Sequence, residues 1–384
     1  MSDSEEKTCK DDSEQPTLVM DVVRSILERL SVADFHRARC ISSEWYYASK
    51  SCIRVTNPWI ILKDYDSCLL FDPHENTSYT VRNVAWRSRC LASCGNWFLM
   101  VDDRADFYIS NVFTRESIPL PPLESIDESP VEFMRINDLN CLVTLNYENK
   151  ASRESSYIAS HLKKGGKKCS YMVSKLRIGK GALYVDEKSR DYVAVWNYDG
   201  IFAYHHKKGD DDNNSWKVIQ SLKNQGCVDM VFKDGKLYVL CNTGDITVFD
   251  FSGGDSPMEC ASFKTPPSRH YRDHYLVVTL SGEVLIILPR YIDLFDVYKV
   301  DHKSLEWSII NSIGDEALLL DQGTTIAAKD GVMKDCIYYT KELDRFKYND
   351  DTRVYNIKTK KVVQVSLPLI DYKYPRPFYF ARWF

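Results

Sequence analysis

Beyond Asn57-Pro58 the sequence becomes a train of short runs rich in Val, Ile, Leu, Tyr and Phe, and this train limits the fold more than any other feature. Runs such as Trp97–Val101, Lys236–Cys241 and Leu294–Val300 are long enough for a strand and too short for a core helix. Turn signals separate them: Asp-Gly at 199–200 and 234–235, Thr243-Gly244-Asp245, and Ser281-Gly282. No comparably strong amphipathic helix occurs after residue 56, so βαβ crossovers are not expected. The aromatic content, 24 Tyr, 16 Phe and 8 Trp, suits the half-buried surface of a pleated sheet.

The runs also repeat as phrases. Asp234–Tyr238 leads into Thr243–Phe249, and His274–Val278 leads into Ser281–Ile286. Each phrase is strand, polar-Gly-acid turn, strand, with 38 residues from Gly244 to Gly282. A second phrase, Val297-Tyr298-Lys299-Val300-Asp301 followed by Trp307, is echoed by Val354-Tyr355-Asn356-Ile357 followed by Val362-Val363, 57 residues from Tyr298 to Tyr355. Repeats of about 40–50 residues carrying about four strands each are the signature of a β-propeller. The span after residue 57 would hold about six or seven such blades. A pair of β-sandwiches is the structural rival.

Before residue 56 the pattern is helical. Val22, Val23, Ile26, Leu27 and Leu30 recur at helical spacing on one side of a first helix. Ser31-Val32-Ala33-Asp34 reads as a cap opening a second helix, continued by Phe35, Ala38 and Ile41. Ser42 or Ser43 would cap a third helix bearing Trp45 and Tyr46. Three short helices in so few residues bury little surface alone and gain from a partner or from docking on the rest of the chain.

Charge narrows the function classes. The net charge is −4, from 50 Lys and Arg against 54 Asp and Glu. Residues 1–15 hold Asp3, Glu5, Glu6, Asp11, Asp12 and Glu14 against Lys7 and Lys10, so they account for all of it. The rest is balanced, which disfavours general nucleic-acid binding. The acidic start, without an apolar core or Arg, reads as a solvated tail rather than a secretory or mitochondrial leader. No apolar run reaches the ~20 residues of a membrane helix. Cytoplasm, nucleus or both is the expected location, and the twelve scattered cysteines are expected to be free thiols that behave as small hydrophobes.

Catalytic and ligand motifs are weak. His270 and His274 are four residues apart, but Pro266-Pro267 and a following strand argue against the helix that a zinc protease site needs. Cys90 and Cys94 lack a second pair at zinc spacing. Gly179-Lys180-Gly181 and Gly165-Gly166-Lys167-Lys168 do not complete a phosphate loop. Lys163–Lys168 and His205–Lys208 read as solvated loops. The end, Asp371–Phe384, mixes aromatics with Lys373, Arg376 and Arg382. It reads as a last strand closing the ring and burying Phe378, Phe380, Trp383 or Phe384, because an unclosed propeller exposes an edge. No catalytic residue, metal site or cofactor is assigned.

The helical segment resembles an F-box. Leu18, Asp21-Val22-Val23, Ile26-Leu27, Arg29-Leu30, Asp34-Phe35, Arg37 and Trp45 stand at the places that motif uses, over about 16–55. Val19 stands where the family usually has Pro, and Glu44 where a basic residue is common. The remainder resembles the plant family in which an F-box precedes a KIB-type β-propeller. The phrases that carry this are Cys90–Trp97, Phe113–Glu116 with Leu120–Glu124, Asp296–Asp301, Gly314–Leu318 and Val354–Ile357, in family order. The resemblance implies a mainly β chain, with a tail at 1–15, an F-box-like helical module at 16–55 and a KIB-type propeller at 58–384. It further implies a non-catalytic, substrate-recognition subunit of a Skp–cullin–F-box ubiquitin ligase. Leu18, Val22, Ile26, Leu27, Leu30 and Phe35 would meet the Skp-type adaptor, and through it cullin, while the propeller would hold a target protein. The alternatives are a stand-alone propeller binding module with a degenerate F-box, and, further off, a propeller enzyme.

Overall fold

The computed structural model describes residues 20–52 and 58–383, apart from 64–67, 74–75, 82–87, 128, 130, 138–139, 147–167, 175, 177, 210–213, 223–224, 254–255, 267–273, 292, 302, 330–331, 342–350 and 366–379. The chain divides between Thr56 and Asn57 into a small helical unit and a large β unit. The helical unit consists of α1 (Met20–Arg29), α2 (Val32–Ala38) and α3 (Ser43–Lys50).

Among the described residues the β unit forms six hydrogen-bonded sheets: four of four strands, one of three and one of nine. Three of the four-stranded sheets are antiparallel meanders in chain order, running from Arg89 to Pro119, Gly181 to Val218 and Cys227 to Lys264. The nine-stranded sheet is two blades joined at their inner edges. One runs from Tyr275 to Ile310 and the other from Glu316 to Gln364. Parallel pairing makes the joint, Val278 to Thr324, and recurs inside the last blade as Leu318 to Ile337 and Leu319 to Tyr338. The turn phrases at Gly244 and Gly282 contain no hint of this parallel pairing.

Successive first strands lie side by side: Arg89–Cys94 against Gly181–Val185, that against Cys227–Lys233, and that against Tyr275–Val278. The three-stranded sheet, Val131–Asn137, Asn140–Asn146 and Lys168–Ser174, falls between the first two of these in sequence but outside their succession in space. It is an extra layer. Its Val131, Phe133, Cys141 and Val143 join the core of the two flanking blades around Trp97, Trp196 and Trp216. Phe107 stacks on Trp196 at 5.1 Å, and the Trp216 indole donates to the Pro121 carbonyl at 2.8 Å. With that sheet set aside, the described residues give a propeller of six blades.

The first blade is completed from the far end of the chain. Phe380–Trp383 pairs antiparallel with Ile60–Lys63, Trp383 facing Ile60, and the sheet continues through Cys68–Asp72 and Thr77–Val81. Trp383 is buried in a core that joins Ile60, Leu62 and Phe71 of the first blade to Ala317, Leu319 and Tyr338 of the last. Its indole donates to the Tyr339 carbonyl at 3.2 Å, and its amide donates to Asp321 Oδ2 at 3.1 Å. The expected closing strand is therefore present and Trp383 is its anchor. Phe378 and Phe384 lie outside the described residues. His205–Lys207, read from sequence as part of a loop, instead ends the strand Ile201–Lys207, with His205 buried.

One turn recurs. Asn111, Asp186, Asp301 and Asn356 each accept, through Oδ1, backbone N–H groups two or three residues ahead. The residue four ahead, Arg115, Arg190, Leu305 or Lys360, donates its N–H back to the Asx carbonyl with φ near +60°. The side chain thus replaces one rung of the hairpin, and a short polar residue at the first position is what it requires. At Gly323 the constraint is steric as well: φ is +65°, and a Cβ would stand 2.3 Å from Val231 Cγ2 and 2.7 Å from the Leu276 carbonyl. Only glycine lets the last blade approach its neighbours there.

Two outcomes follow from this core. Replacing Trp383 with Ala removes the closing anchor and should cost roughly 3–5 kcal/mol, read as a lower midpoint in denaturant titration; an unchanged midpoint would show that the ring does not depend on it. Cys40, Cys227, Cys241 and Cys260 are free thiols. Burial pushes Cys241 up to about 12 and Cys227 well above the ordinary thiol range, so both remain protonated at pH 8. Iodoacetamide at pH 8 should label the exposed Cys40 and Cys260 in the native protein and reach Cys227 and Cys241 only after denaturation, as followed by peptide mass spectrometry.

Candidate docking face of the helical unit

Local signals explain the three helices. Ser31 caps α2 by accepting the Asp34 N–H at 3.2 Å, and its hydroxyl donates to Asp34 Oδ2 at 2.9 Å. Arg37 adds a 2.9 Å ion pair to the same carboxylate. The Ser31 hydrogen bond, then Arg37, holds the Asp34 carboxyl below its usual range. Of the two serines read as caps for α3, Ser42 is the one used, accepting the Trp45 N–H at 3.3 Å. The far ends of the unit are tied by Arg24 Nε donating to Ser51 Oγ at 3.0 Å and by Cys52 Sγ donating to the Arg24 carbonyl at 3.9 Å.

The apolar stripe of α1 divides into two parts. Val23 and Leu27 point inward and, with Phe35, Ala38 and Ala48, form the core of the unit; Leu30, Trp45 and Cys52 pack on it. Leu27 is 0% exposed and Phe35 8%. Val22 and Ile26 remain outside, 47% and 37% exposed. The division follows from helix geometry. Residues four apart lie about 40° apart around the axis, whereas Leu27 is about 100° on from Ile26. Val22, Ile26 and the half-buried Leu30 therefore form an edge that passes from solvent into the core.

Of the six residues read from sequence as adaptor contacts, Val22 and Ile26 are thus on the surface and Leu30 on its margin. Leu27 and Phe35 are placed inside the unit, where they hold the helices together. Leu18 lies outside the described residues, as does Val19. Met20 and Tyr47 are further exposed apolar residues that the spacing argument did not single out, and Ile41, read from sequence as continuing the apolar face of the second helix, is exposed because that helix ends at Ala38. Met20 begins α1 and Ile41 sits between helices, so neither belongs to the periodic stripe.

Elsewhere the motifs weighed from sequence have structural roles. His274 is buried just before the strand Tyr275–Val278; His270 lies outside the described residues. Gly181 opens a first strand where a Cβ would meet Leu91 Cβ at 2.8 Å. Cys90 and Cys94 lie on one strand, and burial raises the Cys94 thiol. Among the described residues no group of three or more His, Cys, Asp or Glu is arranged to hold a metal ion, and no helix is long and apolar enough to cross a membrane.

Two family models match the chain: an F-box domain over residues 17–57 and the KIB1-4 beta-propeller over residues 70–356. The chain is 52% identical over 409 residues to F-box protein KIB4 of Arabidopsis thaliana, a match that covers all of this chain and 98% of that one. It is 48% identical to F-box protein KIB2, covering 95% and 83%, and 44% identical to F-box/kelch-repeat protein KIB1, covering 95% and 87%, both also from Arabidopsis thaliana. An F-box joined to a propeller supports a substrate-recognition role in general, and the relatives' names fit an adaptor rather than an enzyme. With three short helices ahead of a ring closed by its own last strand, and with both halves matched in order, the chain belongs to the KIB-type F-box β-propeller family.

Proposed function

We propose that this chain is the substrate-recognition subunit of a Skp–cullin–F-box ubiquitin ligase. F-box domains generally bind Skp1-type adaptors. In this reading the helical unit docks on such an adaptor, the adaptor connects it to cullin, and the propeller holds a target protein. The chain performs no bond chemistry itself. It raises the encounter rate between a target lysine and the charged ubiquitin carrier by holding them in one assembly.

The observation that carries this reading is the exposed Val22–Ile26 edge. A ten-residue helix gains little by keeping two β-branched residues in water when its core is already filled by Val23 and Leu27. Apolar residues at i and i+4 beside a buried seam are the usual anchors of a helix that enters a groove on another protein. Full burial of each would contribute about 1.5–3 kcal/mol to docking. The buried members act indirectly: Leu27 and Phe35 set the angle at which the edge is presented.

The test separates contact from support. A Val22→Asp, Ile26→Asp double variant of the full chain should keep its helical circular-dichroism signal and lose at least tenfold in affinity for a Skp-type adaptor, measured by calorimetry. Wild-type affinity in that variant would overturn the assignment of this edge. Leu27→Ala, by contrast, should cost about 2–5 kcal/mol of stability in the helical unit and weaken docking through unfolding, seen as faster amide exchange across α1 and α3.

A further inference from the structure

Cys227 and Cys241 face each other across two adjacent strands. In the antiparallel pairing of Cys227–Lys233 with Lys236–Cys241 they are direct partners at the open end of the hairpin, whose other end is closed by the turn Asp234-Gly235. Their rung is a non-hydrogen-bonded one, because the rung before it carries the 2.8 Å bond from the Asn242 N–H to the Gly226 carbonyl. On such a rung the Cα atoms stand about 4.5 Å apart and the two side chains lie close together on one face of the sheet. A disulfide needs Cα atoms about 4.4–6.8 Å apart. The strands approach tightly here: a Cβ on Gly226 would stand 2.7 Å from Asn242 Cγ. Both cysteines share one apolar environment, Cys241 inside the core around Phe202, Leu237 and Phe249, and Cys227 packed against it. Both are free thiols. Among the described residues no other two cysteines are register partners.

The open end of this hairpin is also where three blades are tied. Asp229 receives the Lys180 ammonium at 3.3 Å through one carboxylate oxygen and accepts the Leu276 N–H at 3.0 Å through the other. Lys180 precedes the first strand of the preceding blade, and Leu276 lies in the first strand of the following one. A register shift falls between Cys227 and Asp229, so the ladder is interrupted beside the tie. A covalent link at Cys227 would hold the end of the hairpin that the ladder holds least.

We propose that Cys227 and Cys241 form a thiol–disulfide site, in which hydrogen peroxide converts the two facing thiols into a cross-strand disulfide that locks this hairpin. Cys227 is the half-buried member, so the oxidant meets it first. Peroxide transfers one oxygen to the Cys227 sulfur, giving a sulfenic acid and one water. The Cys241 sulfur then attacks the Cys227 sulfur. The S–S bond forms, the S–O bond breaks, and the departing hydroxide takes the Cys241 proton as a second water. The two sulfurs together lose two electrons and the peroxide gains them. A small thiol such as glutathione reverses the change by exchange. Because burial keeps both thiols protonated, the first step is slow, and the pair answers sustained rather than brief exposure. The inference is independent of the ligase reading, because it concerns the propeller alone and is measured without an adaptor.

The test uses the full chain with Cys40→Ser and Cys260→Ser, which removes the two exposed thiols. After prolonged peroxide treatment of the folded protein, remaining thiols are blocked in denaturant and the chain is digested without reductant. Mass spectrometry should find the Cys227–Cys241 link at least tenfold above any other cysteine pairing, two hydrogens lighter than the separate peptides and absent after dithiothreitol. The denaturant midpoint should rise on oxidation and return on reduction, because the closed loop restricts the unfolded chain. Adding Cys241→Ser should abolish both the link and the rise, and leave a Cys227 sulfenic acid that dimedone captures. Cys227→Ser, at the less buried position, gives the same loss of link and rise where Cys241→Ser does not fold. The proposal is overturned if peroxide leaves both thiols unchanged or carries them to sulfinic acid without a link. It is equally overturned if the link forms only in denaturant, or if either cysteine pairs preferentially with another.

Discussion

The pairing of Phe380–Trp383 with Ile60–Lys63 is the contact on which the β unit depends. A ring of sheets has no edge only if its two ends meet, and here they meet within one blade. The pairing supplies ladder hydrogen bonds, but the specificity lies in Trp383. Its indole and its amide are both satisfied by the last blade, while its side chain fills the core of the first. A buried Trp without a partner for its N–H would be costly. With Tyr339 accepting that N–H, the residue favours one register of closure over its neighbours, since a slip of one position would turn the indole out of the core.

The helical unit shows a different economy of apolar surface. Its stripe on α1 is wider than its own core can cover. Val23 and Leu27 suffice to hold α2 and α3, and Val22 and Ile26 are left over. In a free-standing three-helix domain such residues would commonly be polar. Their presence on a short helix fits the proposal that an adaptor surface completes the unit. The same few residues therefore serve two layers of structure, an inner one that makes the helices and an outer one that offers them.

Much of this was legible in the sequence. The short runs and Asp-Gly turns specify meanders because strand length and turn chemistry are local properties. The caps at Ser31 and Ser42 could be read because a cap is a three-residue event. What was not legible depends on distant packing. The parallel joint at Val278 and Thr324 leaves no periodic mark, and neither does the displacement of the three-stranded sheet out of the ring. Leu27 and Ile26 differ by one position and by their whole environment, and hydrophobicity alone cannot rank them; only the position of α2 and α3 does. The recurrent Asx turn was in plain view as Asn111-Val-Phe-Thr-Arg115, Asp186-Glu-Lys-Ser-Arg190, Asp301-His-Lys-Ser-Leu305 and Asn356-Ile-Lys-Thr-Lys360. It is a better repeat marker than the glycines, because the side chain itself does the turning.

Closure by the last strand also sets an order of events during synthesis. Ile60 and Trp383 are 323 residues apart. At about 5–20 residues per second, the first blade waits roughly 15–65 s for its fourth strand. Throughout that interval Ile60–Lys63 is an unpaired apolar edge, while the helices of residues 20–50 are already outside the ribosome. The helical unit is thus synthesised long before the ring can close, and a chain that stops a few residues short would still carry Val22 and Ile26 while lacking a closed propeller.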